Sequence, residues 1–427
     1  MKKYTDLNKE ELQSLYSELE AKYLEYKAKG LKLNMARGKP CSEQLDLAMP
    51  MMDVLDSKSV MAAEDGTDCR NYGGLDGIYE AKKLLADMIG VHTENVIVCG
   101  NASLTIMHDM IARSMTHGVM GSTPWAKLDK VKFLCPAPGY DRHFKITEHF
   151  GIEMITVPMS ENGPDMDMIE RIVSEDEAVK GVWCVPMYSN PQGYTYSDET
   201  VRRFARLKPK AQDFRIYWDN AYCIHHLYED KQDSLLDIIS ECQLSGNADM
   251  VYEFASTSKV SFAGAGISVV AASTGNIKEI KKHMTIQTIG HDKINQLRHV
   301  RFYKDMDGVM AHMMKHAKIM RPKFEAVDSI LSRELGGLDI GTWVKPNGGY
   351  FISFDALCGC AKEIVAMCKD AGMIMTDAGA TFPYGKDPRD SNIRIAPSFP
   401  TLDEIIVASE LFALCVKLVS VKKLLNK

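Results

Sequence analysis

The chain has 427 residues, of which 45% are hydrophobic, 25% charged and 8% aromatic, and its 51 Lys plus Arg against 57 Asp plus Glu give a formal charge of −6. This is the composition of a soluble globular protein, and it offers no overall basic surface to nucleic acid or to an anionic membrane. A single core stops growing at roughly 250–300 residues, so two domains are expected.

Asn8 opens a helical pattern with Glu11 as its capping box, and Leu12, Leu15, Tyr16, Leu19 and Tyr23 follow at three- and four-residue spacing until Gly30 closes it. The pattern predicts an amphipathic helix over 8–29. No apolar signal core precedes it, and no later stretch reaches the roughly 18 uninterrupted apolar residues of a membrane span. From about Asn95 to Val270, apolar runs alternate with helical patterns: Val96–Cys99, Lys132–Leu134, Glu153–Val157, Gly181–Val185, Phe214–Trp218, Met250–Phe254 and Ile267–Ala271. Strands alternating with helices predict a mostly parallel sheet covered on both faces. A helix is expected over 294–333, and strands at Tyr350–Phe354 and Asn392–Ile395. The fold expected is α/β: a three-layer α/β/α large domain over 45–300, and a smaller α+β domain built from 1–44 together with 301–427. The 11 cysteines are an odd number without C-x-x-C spacing, which speaks against a disulfide framework or a metal site and fits a reducing cytoplasm.

In a doubly wound sheet, ligands bind beyond the carboxyl ends of the strands. Several chemically capable residues fall there: the Gly100-Asn-Ala-Ser103 turn, Tyr140, Asn190, Asp219 and Lys259. Each has an ordinary reading when taken alone. Lys259 would be a solvated cation, Asp219 a cap, Asn190-Pro-Gln-Gly193 a turn. A small-residue turn running into a helix offers free N–H groups to a phosphate, but many βα turns look alike.

Taken in order, however, Arg70-Asn-Tyr-Gly-Gly-Leu-Asp-Gly77, Gly100-Asn-Ala-Ser-Leu104, Pro138-Gly-Tyr-Asp-Arg-His143, Asn190-Pro-Gln-Gly193, Asp219-Asn-Ala-Tyr222, Ser256-Thr-Ser-Lys259, Gly348-Gly-Tyr350 and Asn392-Ile-Arg394 span nearly the whole chain. The set resembles the fold-type-I pyridoxal-5'-phosphate (PLP) enzymes of the aspartate aminotransferase class. That resemblance implies a Schiff-base linkage of PLP to Lys259, which then carries the proton during catalysis. It implies that Asp219 pairs with the pyridinium nitrogen, that His143 orients Asp219, that Tyr140 stacks on the cofactor, and that Asn190 and Tyr222 bond its phenolic oxygen. The phosphate is expected at Asn101, Ala102, Ser103 and Ser256, with Tyr72 reaching across from a second subunit, so a homodimer with shared sites is implied. Arg394 is expected to grip the substrate α-carboxylate.

One departure stands out. Members of the family commonly carry Gly-x-Arg-x-Gly after the lysine, and the arginine grips the phosphate; here the stretch is Gly264-Ala-Gly266-Ile-Ser268. The loop resembles a divergent subgroup related to the aminotransferase part of the MocR regulators. Its likeness to aspartate aminotransferases implies aspartate and 2-oxoglutarate as the substrate pair. For the distal carboxylate the candidates are Arg37 beside Gly38, then Lys293 and His291. PLP also serves β-lyases and decarboxylases, and aminotransferases of other amino acids. A non-catalytic PLP-binding sensor is the remaining alternative, opposed by the lack of room for a DNA-binding domain before the first helix.

Overall fold

A computed structural model describes residues 2–426. Its centre is an eight-stranded sheet in the order Val96–Cys99, Ser268–Ala272, Val251–Ser256, Arg215–Asp219, Val179–Cys184, Lys132–Ala137, Glu153–Ser160, Gly163–Pro164. The ladders linking Val251–Ser256 through Glu153–Ser160 are parallel. Ser268–Ala272 runs antiparallel to both its neighbours, and Gly163–Pro164 is an antiparallel hairpin edge.

Alternation along these strands explains the layers. Val96, Val98, Leu134, Val182, Ile216 and Trp218 enter one apolar cluster, whereas Ile97, Phe133, Trp183, Tyr217 and Phe254 enter the cluster on the opposite face. A strand buried on both sides can therefore be apolar on both faces, as the predominantly apolar sequence runs are. The expected strands all form, with ends shifted by a residue or two and with Lys132–Ala137 and Glu153–Ser160 each extending three residues further.

A second, antiparallel sheet joins Gly341–Trp343, Ile352–Ala356 and Asn392–Ile395. It shares a core with residues from both ends of the chain: Leu12, Leu19 and Tyr23 lie in one cluster with Phe324, Leu331, Phe354, Phe412 and Val416. Helix Lys9–Ala28 begins with the expected capping box, Asn8 Oδ1 accepting from the Glu11 amide at 2.9 Å and Glu11 from the Asn8 amide at 2.7 Å.

Two differences from the sequence expectation have physical causes. The helix predicted over 294–333 is two helices, Lys293–Tyr303 and Met306–Leu335. Between them Lys304 takes a left-handed φ of 68°, and Asp305 starts afresh by accepting from the Gly308 amide. Helix Leu402–Leu425 is absent from the predicted elements because it is apolar on nearly every side; it packs against the Lys9–Ala28, Met306–Leu335 and Ala361–Asp370 helices and so carries no single stripe. Among the described residues no helix is long and apolar enough to cross a membrane.

Candidate active site

The parallel strands end at the same edge of the sheet, and the candidate residues leave from those ends. Asp219 is the last residue of its strand and is buried; His143, in the first turn of the Asp141–His149 helix, approaches it with Nε2 3.0 Å from Oδ2. His143 is itself stacked on Trp183, with ring centroids 4.4 Å apart and planes 10° from parallel. The imidazole is thus fixed by a ring on one side and a carboxylate on its edge. The other carboxylate oxygen, Asp219 Oδ1, is buried with no partner. A buried carboxylate oxygen left open calls for a donor, and a protonated ring nitrogen is the donor a pyridine cofactor brings.

Lys259 follows the Val251–Ser256 strand and points its ammonium between two aromatic rings, 5.1 Å from the Tyr222 centroid and 5.9 Å from that of Tyr350. Burial pulls its pKa below the ordinary lysine value, while the Asp219 charge works in the opposite direction. The neutral amine required of a nucleophile and base is favoured by that pocket. Burial also holds the Tyr222 and Tyr140 phenols well above their usual range, so both remain hydroxyl donors. Tyr140 caps the His143 helix and meets the His143 ring edge-on, with centroids 4.9 Å apart.

Asn101 and Ala102 precede the Ser103–His117 helix, whose first residue is Ser103. Ser258 Oγ links Asn101 Oδ1 at 3.2 Å to Ser256 Oγ at 3.1 Å, so three hydroxyl or amide side chains ring the helix N-terminus. The lysine loop closes on the same place. A Cβ added at Gly266 would meet Thr257 Oγ1 at 3.0 Å, the Ser258 amide nitrogen at 3.1 Å and Asn101 Oδ1 at 3.2 Å, so the loop backbone packs directly against these groups. Helix N–H groups, hydroxyls and an amide make a cup suited to a phosphate.

Arg394, buried on strand Asn392–Ile395, donates through Nη1 to Asp141 at 2.9 Å and to Asn190 Oδ1 at 3.2 Å, and through Nη2 to Thr376 at 3.4 Å. Its Nε is buried without a partner. The guanidinium lies over the Phe351 ring, 4.8 Å from the centroid. Phe351 in turn presses on Gly38, where an added Cβ would fall 2.2 Å from the ring. Thr376 also donates to the Ala36 carbonyl at 2.9 Å, so the turn carrying Arg37 and Gly38 borders the Arg394 pocket. Arg37 itself is exposed, between the half-buried Ala36 and Gly38.

Tyr72 does not join this cluster within its own chain; its side chain is 82% exposed. Lys293, expected among the cations for a distal carboxylate, is committed elsewhere: its ammonium donates to the Asn71 and Gly73 carbonyls at 2.8 and 2.7 Å. His291 lies near Gly100, and burial lowers its pKa. Sequence reasoning passed over Ser258, Trp183, Tyr350 and Thr376 as site residues. Ser258 and Tyr350 sit inside the matched motifs and could have been found there, whereas nothing around Thr376 signals its contact with Arg394. Among the described residues no group of three or more His, Cys, Asp or Glu is arranged to hold a metal ion.

Comparison with known proteins finds relatives along the whole chain. A family described as aspartate amino-transferase matches residues 7–427. An aspartate aminotransferase of Corynebacterium glutamicum is 43% identical over 422 residues, 99% of this chain and 97% of its own length. The crystal structure of an aspartate transaminase from Corynebacterium glutamicum superposes with a TM-score of 0.96 at 43% identity, covering 99% of each chain. LysN, an α-aminoadipate aminotransferase of Thermus thermophilus solved with N-(5'-phosphopyridoxyl)-L-leucine, shares the fold at 18% identity, with a TM-score of 0.73 over 95% of each chain. With a full-length match and this degree of identity, the chain belongs to the aspartate aminotransferase family and is an aminotransferase.

Proposed function

We propose that this protein is a PLP-dependent aminotransferase that moves an amino group between aspartate and 2-oxoglutarate, with Lys259 as the cofactor-linked residue. The observation that carries the reading is a buried Lys259 amine set between the Tyr222 and Tyr350 rings, together with a buried Asp219 whose Oδ1 is open. PLP, when bound, supplies the electron sink for charge released at the substrate α-carbon. Asp219 would hold the ring nitrogen protonated, and His143 would keep the carboxylate in place through its 3.0 Å contact. Tyr140 would cover the ring, and Asn190 and Tyr222 would bond the phenolic oxygen. Asn101, Ala102, Ser103, Ser256 and the adjacent Ser258 would bind the phosphate. Lys259 Nζ would take the proton from the substrate α-carbon and carry it to the cofactor's C4'. Burial lowers its proton affinity, which suits a base that must release what it collects.

Arg394 would receive the α-carboxylate. Its planar fork suits two-point contact, and its free Nε leaves donor capacity. For the distal carboxylate we favour Arg37, an exposed cation next to Gly38 and the Arg394 pocket. Aspartate as donor is supported by the likeness to the Corynebacterium glutamicum aspartate aminotransferase. The Gly264-Ala-Gly266 loop supports membership of the MocR-related subgroup. We take the chain as two units, 45–300 and 1–44 with 301–427, supported by the separate apolar clusters, and as a cytoplasmic enzyme.

A homodimer with shared sites is part of the same reading. Exposed Met52, Val60 and Tyr72 all border the Lys293–Tyr303 helix: Arg298 reaches the Met52 sulfur, Arg301 the Val60 carbonyl, and Lys293 the loop of Tyr72. Exposed apolar side chains gathered on one face suit a partner surface, and a second copy would use Tyr72. The test is direct: purified protein given aspartate and 2-oxoglutarate should form oxaloacetate and glutamate. Reaction with aromatic or branched donors but none with aspartate would overturn the substrate assignment.

A further inference from the structure

We propose that Lys293 is a positioning residue, which fixes the Asn71–Gly74 loop in the pose from which Tyr72 serves the cofactor phosphate of a second copy. The proposal rests on the homodimeric PLP enzyme put forward above and adds a part to its shared site. Lys293 opens the Lys293–Tyr303 helix and is only 5% exposed. Among the described residues its ammonium meets no carboxylate; both its hydrogen bonds go to main-chain carbonyls, Asn71 at 2.8 Å and Gly73 at 2.7 Å. These carbonyls lie on either side of Tyr72. A buried ammonium normally demands an anion, and one committed to two neighbouring carbonyls instead serves to hold that loop.

The rest of the loop is clamped by the same stretch of chain. Gln296, one turn further along the helix and fully buried, accepts from the Ile78 amide at 2.9 Å. A Cβ at Gly290 would sit 2.8 Å from the Gly73 carbonyl oxygen, so those backbones are in near contact, and one at Gly74 would sit 3.3 Å from Cδ of the Lys293 side chain. Gly73 and Gly74 take φ of 99° and 69°, a left-handed course that lets two nearby carbonyls face one ammonium. The backbone around Tyr72 is thus held from below, while the phenol projects into solvent. An ordered loop with an unengaged aromatic tip is arranged to act on something outside its own chain. Holding it in advance lowers the ordering cost of the contact.

Hybrid dimers test this. Chains carrying Lys293→Met and chains carrying Lys259→Ala, with different tags, are co-expressed and the mixed dimer isolated. Cofactor retention is read from the decay of visible absorbance on dilution into a PLP scavenger. The Lys293→Met homodimer is expected to lose cofactor faster, on the order of tenfold, as for loss of charged hydrogen bonds that hold a binding element. In the hybrid, the one lysine-competent site takes Lys259 from the Lys293→Met chain and its Tyr72 loop from the other. That site should retain cofactor as wild type does, a recovery that general destabilisation would not produce. If it releases cofactor as fast as the Lys293→Met homodimer, or if that homodimer matches wild type, the role of Lys293 is refuted. Should Lys293→Met not fold, Lys293→Gln, which keeps an uncharged amide donor group, is read in the same way. Tyr72→Phe separates the two levels of the argument: if it leaves retention unchanged, the trans role of Tyr72 falls and takes Lys293 with it. If it speeds release while Lys293→Met does not, only the Lys293 role falls.

Discussion

Replacing Arg394 by lysine keeps the charge and removes the fork. The guanidinium divides its donors among Asp141, Asn190 and Thr376 and retains a buried Nε without a partner. Lysine would keep the link to Asp141, whose carboxylate is the strongest local acceptor, and would have one direction left for a substrate carboxylate instead of two. One charged hydrogen bond lost at such a site costs about 1.5–3 kcal/mol. At about 1.4 kcal/mol per factor of ten, kcat/KM should fall roughly 10- to 100-fold. The assay is steady-state transamination with the amino donor varied. The loss should lie mainly in KM, because the same carboxylate is gripped before and during reaction. The melting temperature should move little, since Asp141 keeps a cation and is itself partly exposed. A variant with kcat/KM within about threefold of wild type would refute the clamp.

Gly38→Ala would push a methyl to 2.2 Å from the Phe351 ring, which supports Arg394 from beneath. Overpacking of this kind costs about 1–3 kcal/mol; thermal melting should show the loss, and KM for the amino donor should rise with it, whereas an unchanged KM would detach the turn from the site. Glu253, buried beside Asn220, has its carboxyl pushed up to about 8 by desolvation. Because the folded form holds its proton to higher pH than the unfolded one, stability contributed by the neutral acid is full below about 4.5 and is lost as pH rises through about 8. Glu253→Gln should flatten that slope by a few kcal/mol in denaturant titrations across the window; an unaltered slope would show that Glu253 ionises normally.

The strands of the central sheet were legible in the sequence because of how they are buried. Runs such as Val96–Cys99 and Phe214–Trp218 stood out because both faces of the central sheet are covered, so most positions are apolar. The Leu402–Leu425 helix was lost for the same reason, since burial on all sides erases the periodicity that identifies a helix. At the site, Asp219, Lys259 and Asn190 were legible because strand ends and motif order locate them. Their contacts were not: that His143 is held between Trp183 and Asp219 depends on separate strands and a helix meeting in space. Lys293 shows the limit most clearly. Its charge and place in the chain suggested a substrate ligand, yet only the fold reveals that two carbonyls 220 and 222 residues away already occupy it.

The most direct measurement of the central claim is to load the protein with PLP, reduce it with borohydride, and map the modified peptide by mass spectrometry. The account predicts a pyridoxyl group on Lys259, lost when Lys259→Ala is treated in the same way and prevented when aspartate is added before reduction. A pyridoxyl group on a different lysine, or none on the loaded wild-type protein, would contradict it.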